Sequence, residues 1–197
     1  MVRERRYCEC EHCGLVYLSP PQRPDRAAEH RYYLTHRNDP ADARYRAFLS
    51  RLSVPLLERL TPGMRGLDYG CGPGPTLSIM LEAQGMRMAT YDPLFAPDPQ
   101  ALGCTYDFIT CSEVIEHFHD PAAEFARLDR MLRPGGWLGV MTGILVEGIR
   151  FAEWHYIRDP THVSFYRPRT LEWIAAAYGW RLELALPHVA LFEKPSA

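Results

Sequence analysis

Apolar residues recur at helical spacing across residues 42–60, at Tyr45, Phe48, Leu49, Leu52, Leu56 and Leu60. That period predicts a helix with a break at Pro55, whose ring cannot donate to the helical ladder. Thr61-Pro62-Gly63 reads as a turn. Beyond it, short apolar runs alternate with amphipathic stretches. Arg65–Tyr69 reads as a strand, residues 76–84 as a helix stopped by Gly85, and Arg87–Tyr91 as a second strand. The alternation resumes with a strand at 107–111, a helix at 122–132, a strand at 137–142 and a helix at 169–178 stopped by Gly179. Arg181–Ala185 and residues 189–192 read as a closing antiparallel pair around Pro187. Strands separated by helices form a mostly parallel sheet with helices on both faces. The pattern lapses at 93–105, where Pro93-Leu94-Phe95-Ala96-Pro97-Asp98-Pro99 is too short and proline-rich for another helix and strand. The expected fold class is therefore α/β, doubly wound, with its third strand lost or reduced to a stub.

Composition narrows the class. With 197 residues, 47% of them hydrophobic, the chain suffices for one sizeable core but not for two full domains. A net charge of −2 provides no global field for nucleic acid or an anionic membrane, so neither is an expected partner. No apolar run approaches the ~20 residues of a transmembrane helix. The opening MVRERRYCEC has charge but no apolar segment, unlike a secretory signal. The expected location is cytoplasmic, with the six cysteines as reduced thiols. The oligomeric state is left open.

The chemistry is densest at Leu67-Asp68-Tyr69-Gly70-Cys71-Gly72-Pro73-Gly74-Pro75. Glycines between a strand and a helix admit positive φ and let a ligand lie against bare backbone. The spacing is G-x-G-x-G rather than the G-x-G-x-x-G of dinucleotide loops, which favours a smaller, partly cationic ligand over a pyrophosphate. Asp92 lies 24 residues after Asp68, at the end of the second strand. A carboxylate there can accept hydrogen bonds from ribose hydroxyls, or simply make a turn before Pro93. Phe95 offers a ring to cover a base.

In order along the chain, Leu67 to Gly74, Tyr91-Asp92, the run from Tyr106 to Phe118 and Leu132-Arg133-Pro134-Gly135-Gly136-Trp137-Leu138 resemble four motifs of class I S-adenosylmethionine-dependent methyltransferases. The branch it resembles most contains ubiquinone-biosynthesis-like and type 11/23 enzymes. The resemblance implies a Rossmann-like fold, S-adenosyl-L-methionine as cofactor and a small-molecule methyl acceptor. It implies a cofactor cradle of Asp68, Tyr69, Gly70, Cys71, Gly72, Gly74, Asp92, Pro93, Phe95, Ser112 and Glu113. Asp68 either meets the methionine ammonium through water or fixes the loop. His117 follows the fourth-strand motif as a proton carrier or a helix cap, beside Glu116 as a brace.

The segment from Trp154 to Tyr166 sits where this fold inserts substrate-covering elements, and relatives carry a similar Asp-x-x-His run. Asp159, His162 and Tyr156 are the catalytic candidates here, with Asp159 orienting His162 as a base; the alternative is that the pair pins a lid. Cys10-x-x-Cys13-Gly14 resembles the second knuckle of an N-terminal zinc ribbon whose first knuckle is missing. Cys8 and His12 do not complete a tetrahedron, so no metal ligand is expected. The plain alternative is a hairpin packed through Leu15, Val16 and Tyr17. Three units follow: a degenerate ribbon-like segment (1–20), a linker with a helix (21–60) and a methyltransferase domain (61–197); the Pro-rich, polar stretch 20–40, with Tyr32-Tyr33 inside it, reads as a linker or substrate-side arm. Two rival functions share these residues, a nicotinamide-dependent oxidoreductase and a non-catalytic binding module.

Overall fold

A computed structural model describes residues 2, 4–35 and 38–196. The chain opens with a hairpin, β1 (Tyr7–Glu9) and β2 (Val16–Leu18). A helix α1 (Arg26–Tyr33) and a long helix α2 (Ala43–Leu57) follow. Then come β3 (Arg65–Tyr69), α3 (Thr76–Glu82), β4 (Arg87–Tyr91), a one-turn helix α4 (Pro99–Leu102) and β5 (Tyr106–Ser112). The chain continues through α5 (Pro121–Met131), β6 (Leu132–Met141), the short β7 (Ser164–Phe165), α6 (Pro168–Tyr178), β8 (Arg181–Ala185) and β9 (Val189–Glu193).

The main sheet has the order β4-β3-β5-β6-β9-β8. The first four strands are parallel, and β9 and β8 add antiparallel. Strand order reverses between β3 and β5, so their C-terminal ends flank the crevice where doubly wound sheets bind ligands. The fold matches the expected class. β4 ends the sheet, and α4 alone occupies the stretch where another helix and strand would stand.

One face of the sheet is covered by α5 and α6 through Phe125, Leu128, Leu171 and Ile174, the other by α2 and α3 through Leu49, Leu52, Leu56 and Leu81. Burying a Leu or Phe contributes about 1.5–3 kcal/mol each, so these faces hold the helices more firmly than propensity does. That explains two departures from the sequence pattern. α2 runs through Pro55 instead of breaking there, because Leu52 and Leu56 are fully buried on either side of it. The polar 20–40 stretch, expected as a linker or arm, contains α1, capped by Asp25, whose side chain accepts from the Ala28 N–H at 2.8 Å.

The N-terminal hairpin does not stand apart. β2 pairs with β7, and Val16, Leu145, Trp154, Tyr156, Ile157 and Phe165 form one small core beneath the segment after β6. The Arg5 guanidinium also donates to the carbonyls of Pro160 at 3.1 Å and Asp159 at 3.3 Å. No helix among the described residues is long and apolar enough to cross a membrane.

Candidate functional site

At the C-terminal ends of β3, β4 and β5 lies a cleft of about 1020 Å³. The turn after β3 forms its floor. Gly70 (φ 79°) and Gly72 (φ 63°) hold left-handed backbone that side chains disfavour. The N–H groups of Gly70 and Cys71 donate to the Tyr91 carbonyl at 2.7 and 3.2 Å, stitching the turn to β4. Gly74 is needed for proximity, since a Cβ there would sit 2.3 Å from the Asn38 carbonyl oxygen.

Asp92 braces this half. Its Oδ1 accepts from the N–H groups of Leu94 at 2.8 Å and Phe95 at 3.0 Å, and its Oδ2 accepts from the Gly72 N–H at 3.0 Å. The turn contact is thus present, and Oδ2 keeps a lone pair for a ligand. Asp68 is buried, with its oxygens 3.0 Å from the donating hydroxyls of Thr110 and Ser78. Burial pushes its carboxyl up to about 6 despite those bonds. These contacts tie the end of β3 to β5 and to α3. Tyr69 turns toward α5, where its hydroxyl donates to Glu124 and accepts from Arg127 at 3.0 Å. The Cys71 thiol is pushed up to about 12 by burial and stays protonated. Pro93, Phe95 and Ser112 line the cleft, and the Phe95 ring lies 5.4 Å from the His30 ring.

The opposite end is built from the turn after β5 and the segment after β6. Glu113 is a non-glycine residue at φ 53°, held by its N–H donating to the Met141 carbonyl at 2.7 Å. Strained backbone of this kind persists where the surroundings over-determine it. Burial first, then the charge of Glu116, pushes the Glu113 carboxyl up to about 9. Glu116 is wholly buried and accepts from the Thr142 hydroxyl at 2.9 Å and from the Tyr156 hydroxyl. Those bonds join the turn after β5 to Thr142 at the end of β6 and to Tyr156 in the segment beyond it.

Both histidines are fixed by backbone. His117 Nδ1 lies 3.0 Å from the Thr161 carbonyl, and His162 Nδ1 lies 2.8 Å from the Tyr156 carbonyl. A carbonyl only accepts, so each Nδ1 carries a proton and each Nε2 is a lone-pair acceptor in the neutral ring. The expected Asp159–His162 dyad is corrected in one respect. Asp159 Oδ1 is taken by the Thr161 N–H at 2.8 Å and the Thr161 hydroxyl at 2.5 Å, and its Oδ2 stands 3.7 Å from His162 Nε2. That is too long for a hydrogen bond, so the Tyr156 carbonyl orients the ring instead. Burial holds His162 below the usual imidazole range. For Asp159, burial pushes upward, but His162 and the Thr161 donors outweigh it and leave the carboxyl below its usual range.

Every residue named from the sequence for the cofactor cradle or for catalysis, including His117, Tyr156, Asp159 and His162, lines this one cleft. The stretch read from the sequence as a linker or substrate-side arm supplies Arg26, Tyr33 and Asn38 to the lining of the cleft. Tyr33 packs edge-on to His117 at 5.3 Å, Arg26 donates to the Pro93 carbonyl, and Asn38 lies over Gly72 and Gly74. Tyr45 and Phe48, read as core, also line the cleft. The signal for the arm was Tyr32-Tyr33, two aromatics inside a polar stretch.

Residues 33–185 match a family model described as a methyltransferase domain. A ubiquinone biosynthesis O-methyltransferase of Paracidovorax citrulli is 28% identical over 116 residues, covering 46% of this chain and 49% of that protein. The Marinobacter nauticus protein of the same name is 32% identical over 107 residues, covering 41% and 44%. The chain spans about half the length of the curated relatives it matches. Among solved structures, 1,6-didemethyltoxoflavin-N1-methyltransferase of Burkholderia thailandensis, with its substrate and S-adenosylhomocysteine bound, aligns with a TM-score of 0.61 at 17% identity, over 98% of this chain and 100% of that one. An S-adenosylmethionine-dependent methyltransferase of Archaeoglobus fulgidus aligns with a TM-score of 0.55 at 20% identity, over 70% of each chain. At these identities the structural likeness speaks for the fold, and the family match, over most of the chain, carries the assignment: the chain belongs to the methyltransferase-domain family.

Proposed function

We propose that this chain transfers a methyl group from S-adenosyl-L-methionine to a small-molecule acceptor. The observation that carries the reading is that the glycine turn, Asp92 and the polar-aromatic segment around His162 share one cleft. Bound S-adenosylmethionine would supply an already activated methyl group, so alignment is the main demand on the protein.

The donor would lie across the turn, with bare glycine backbone admitting its amino-acid portion. Asp92 Oδ2 would accept from the ribose, and Phe95 would cover the adenine. The carboxylate of Asp68 suits the positive end of this ligand, and the Glu113 carboxyl offers it a hydrogen-bonding group. The acceptor would enter under Tyr33, Tyr156 and His162. With Nδ1 of each ring facing a carbonyl, Nε2 of His117 and of His162 is the atom able, in the neutral ring, to take a proton from a hydroxyl or an acidic C–H. An amine acceptor would need less of them, and O-, N- and C-methylation all fit this arrangement. The hairpin supports reading residues 1–20 as a ribbon-like knuckle that now serves as a brace for the lid, ahead of the helical arm (21–60) and the domain (61–197).

Titration calorimetry with S-adenosylhomocysteine tests the reading. The expected affinity is in the micromolar range, about −7 to −8 kcal/mol. Tighter binding of NAD would sink it. Binding without turnover on any acceptor in a metabolite extract would favour the non-catalytic module.

A further inference from the structure

We infer that the acceptor end of the cleft is a binding site for one divalent transition-metal ion, held by Glu116, His117 and His162. One ligand atom from each of these three residues lies within 4.8 Å of the other two. The two rings are set for this. Their Nδ1 atoms are committed to the carbonyls of Thr161 and Tyr156, at 3.0 and 2.8 Å, which leaves both Nε2 lone pairs free to ligate. A backbone carbonyl that fixes the tautomer of a ligating histidine is the usual outer shell of a metal site. Their tautomers need no change for an ion to enter.

The charge count points the same way. Glu116 is wholly buried, its hydrogen-bond donors are neutral hydroxyls, and no ion pair among the described residues includes it. Asp159 adds a carboxylate at the same end of the cleft, and the Tyr156 hydroxyl lies 3.3 Å from the Glu113 carboxyl. Burying a carboxylate without a cation is costly, and an ion of charge +2 offsets that cost at once. Two imidazole nitrogens with one carboxylate oxygen favour Mn²⁺, Fe²⁺, Co²⁺ or Zn²⁺ over the all-oxygen preference of Ca²⁺ and Mg²⁺. This inference reverses the expectation, drawn from the sequence, that no metal ligand is present.

The position gives the ion a consequence. Glu116 and His117 stand on the turn after β5, whereas His162 stands on the covering segment, so an ion would bind the lid to the sheet. Its remaining positions would open toward Glu113, Asp159 and the acceptor. With the ion in place, both histidines act as ligands rather than proton acceptors. Metal binding does not depend on the methyl-transfer reading, and its readout is separate from cofactor affinity.

The test uses the full chain, freed of metal with a chelator and titrated with Mn²⁺ while the six-line resonance of free Mn²⁺ is followed. The expected result is one ion bound per chain, displaced by Zn²⁺. Pulsed resonance of the bound ion should show coupling to imidazole nitrogen, a readout that needs no variant. His162→Ala and Glu116→Gln should each weaken binding at least ~10-fold, the lower end of losses seen for outer-shell changes. The double substitution Cys10→Ser, Cys13→Ser should leave it unchanged, separating this site from the thiol knuckle. An undiminished free-ion signal, bound Mn²⁺ without nitrogen coupling, or binding lost only in the cysteine double variant would each overturn the proposal.

Discussion

The two ends of the cleft are built in opposite ways. The glycine-turn end comes from one stretch of chain plus Asp92, and its bonds are mostly backbone N–H groups donating to Asp92 and to the Tyr91 carbonyl. The lid end draws Tyr33, Glu113, Glu116, His117, Tyr156 and His162 from three separate segments and concentrates buried ionisable groups. The first end is a preformed cradle whose shape hardly depends on what binds. The second is held by side chains whose charges need a ligand, an ion or a substrate, and so it is where chemistry and regulation concentrate.

The largest expected effect separates the two ends. His162→Ala should lower turnover on the true substrate by ~10²-fold or more, the scale of a lost proton carrier or positioning group. S-adenosylhomocysteine affinity, measured by calorimetry, should stay nearly constant. A variant that loses cofactor affinity as much as turnover would erase the distinction between the ends.

Asp92→Ala probes the cradle in return. It removes a ligand acceptor and leaves the N–H groups of Gly72, Leu94 and Phe95 without their partner. Cofactor binding should weaken by roughly 2–4 kcal/mol. Unchanged affinity in a folded variant would confine Asp92 to turn-making.

A third prediction concerns pH. Asp68 has its carboxyl raised to about 6 in the fold, chiefly by burial, against an ordinary value of 3.8. The fold therefore favours the protonated form. That contribution is fully present below the ordinary value and is lost as pH rises through about 6. It amounts to roughly 3 kcal/mol at most. Denaturant titrations of Asp68→Asn across this window should lack the decline seen in the parent chain; an equal decline in both would place the titration elsewhere.

The smallest effect belongs to the hairpin. Gly14 (φ 72°) closes its turn, and the Thr170 hydroxyl donates to the Cys13 carbonyl at 2.9 Å. These are backbone contacts that serine keeps. The double substitution Cys10→Ser, Cys13→Ser should change stability by less than ~1 kcal/mol, as for most substitutions at half-exposed positions. A loss of several kcal/mol, recorded as a drop in the melting midpoint, would mean that the thiols hold a structural ion and that the hairpin works as a metal-bound ribbon.

Much of this molecule was legible from the chain alone. The strand–helix alternation from Arg65 onward, the closing antiparallel pair and the missing strand after Tyr91 follow from local period and from proline placement. The glycine turn was legible because its residues are neighbours in sequence and their backbone requirement is local. The run through Pro55 was not, because the burial of Leu52 and Leu56 decides it. Nor was the helix from Arg26 to Tyr33, whose residues have no apolar period and gain their place by packing over the cleft.

The chain by itself determined the sheet, the turn and the candidate identities of the residues around it, since each rests on spacing within a dozen or so positions. Only the tertiary structure decided that His117 and His162 face Glu116, and that Tyr156 rather than Asp159 orients His162. The first relation joins His162 to residues more than forty positions earlier, the second depends on a ring orientation that spacing does not give, and the burial around both exists only once the lid has closed on the sheet.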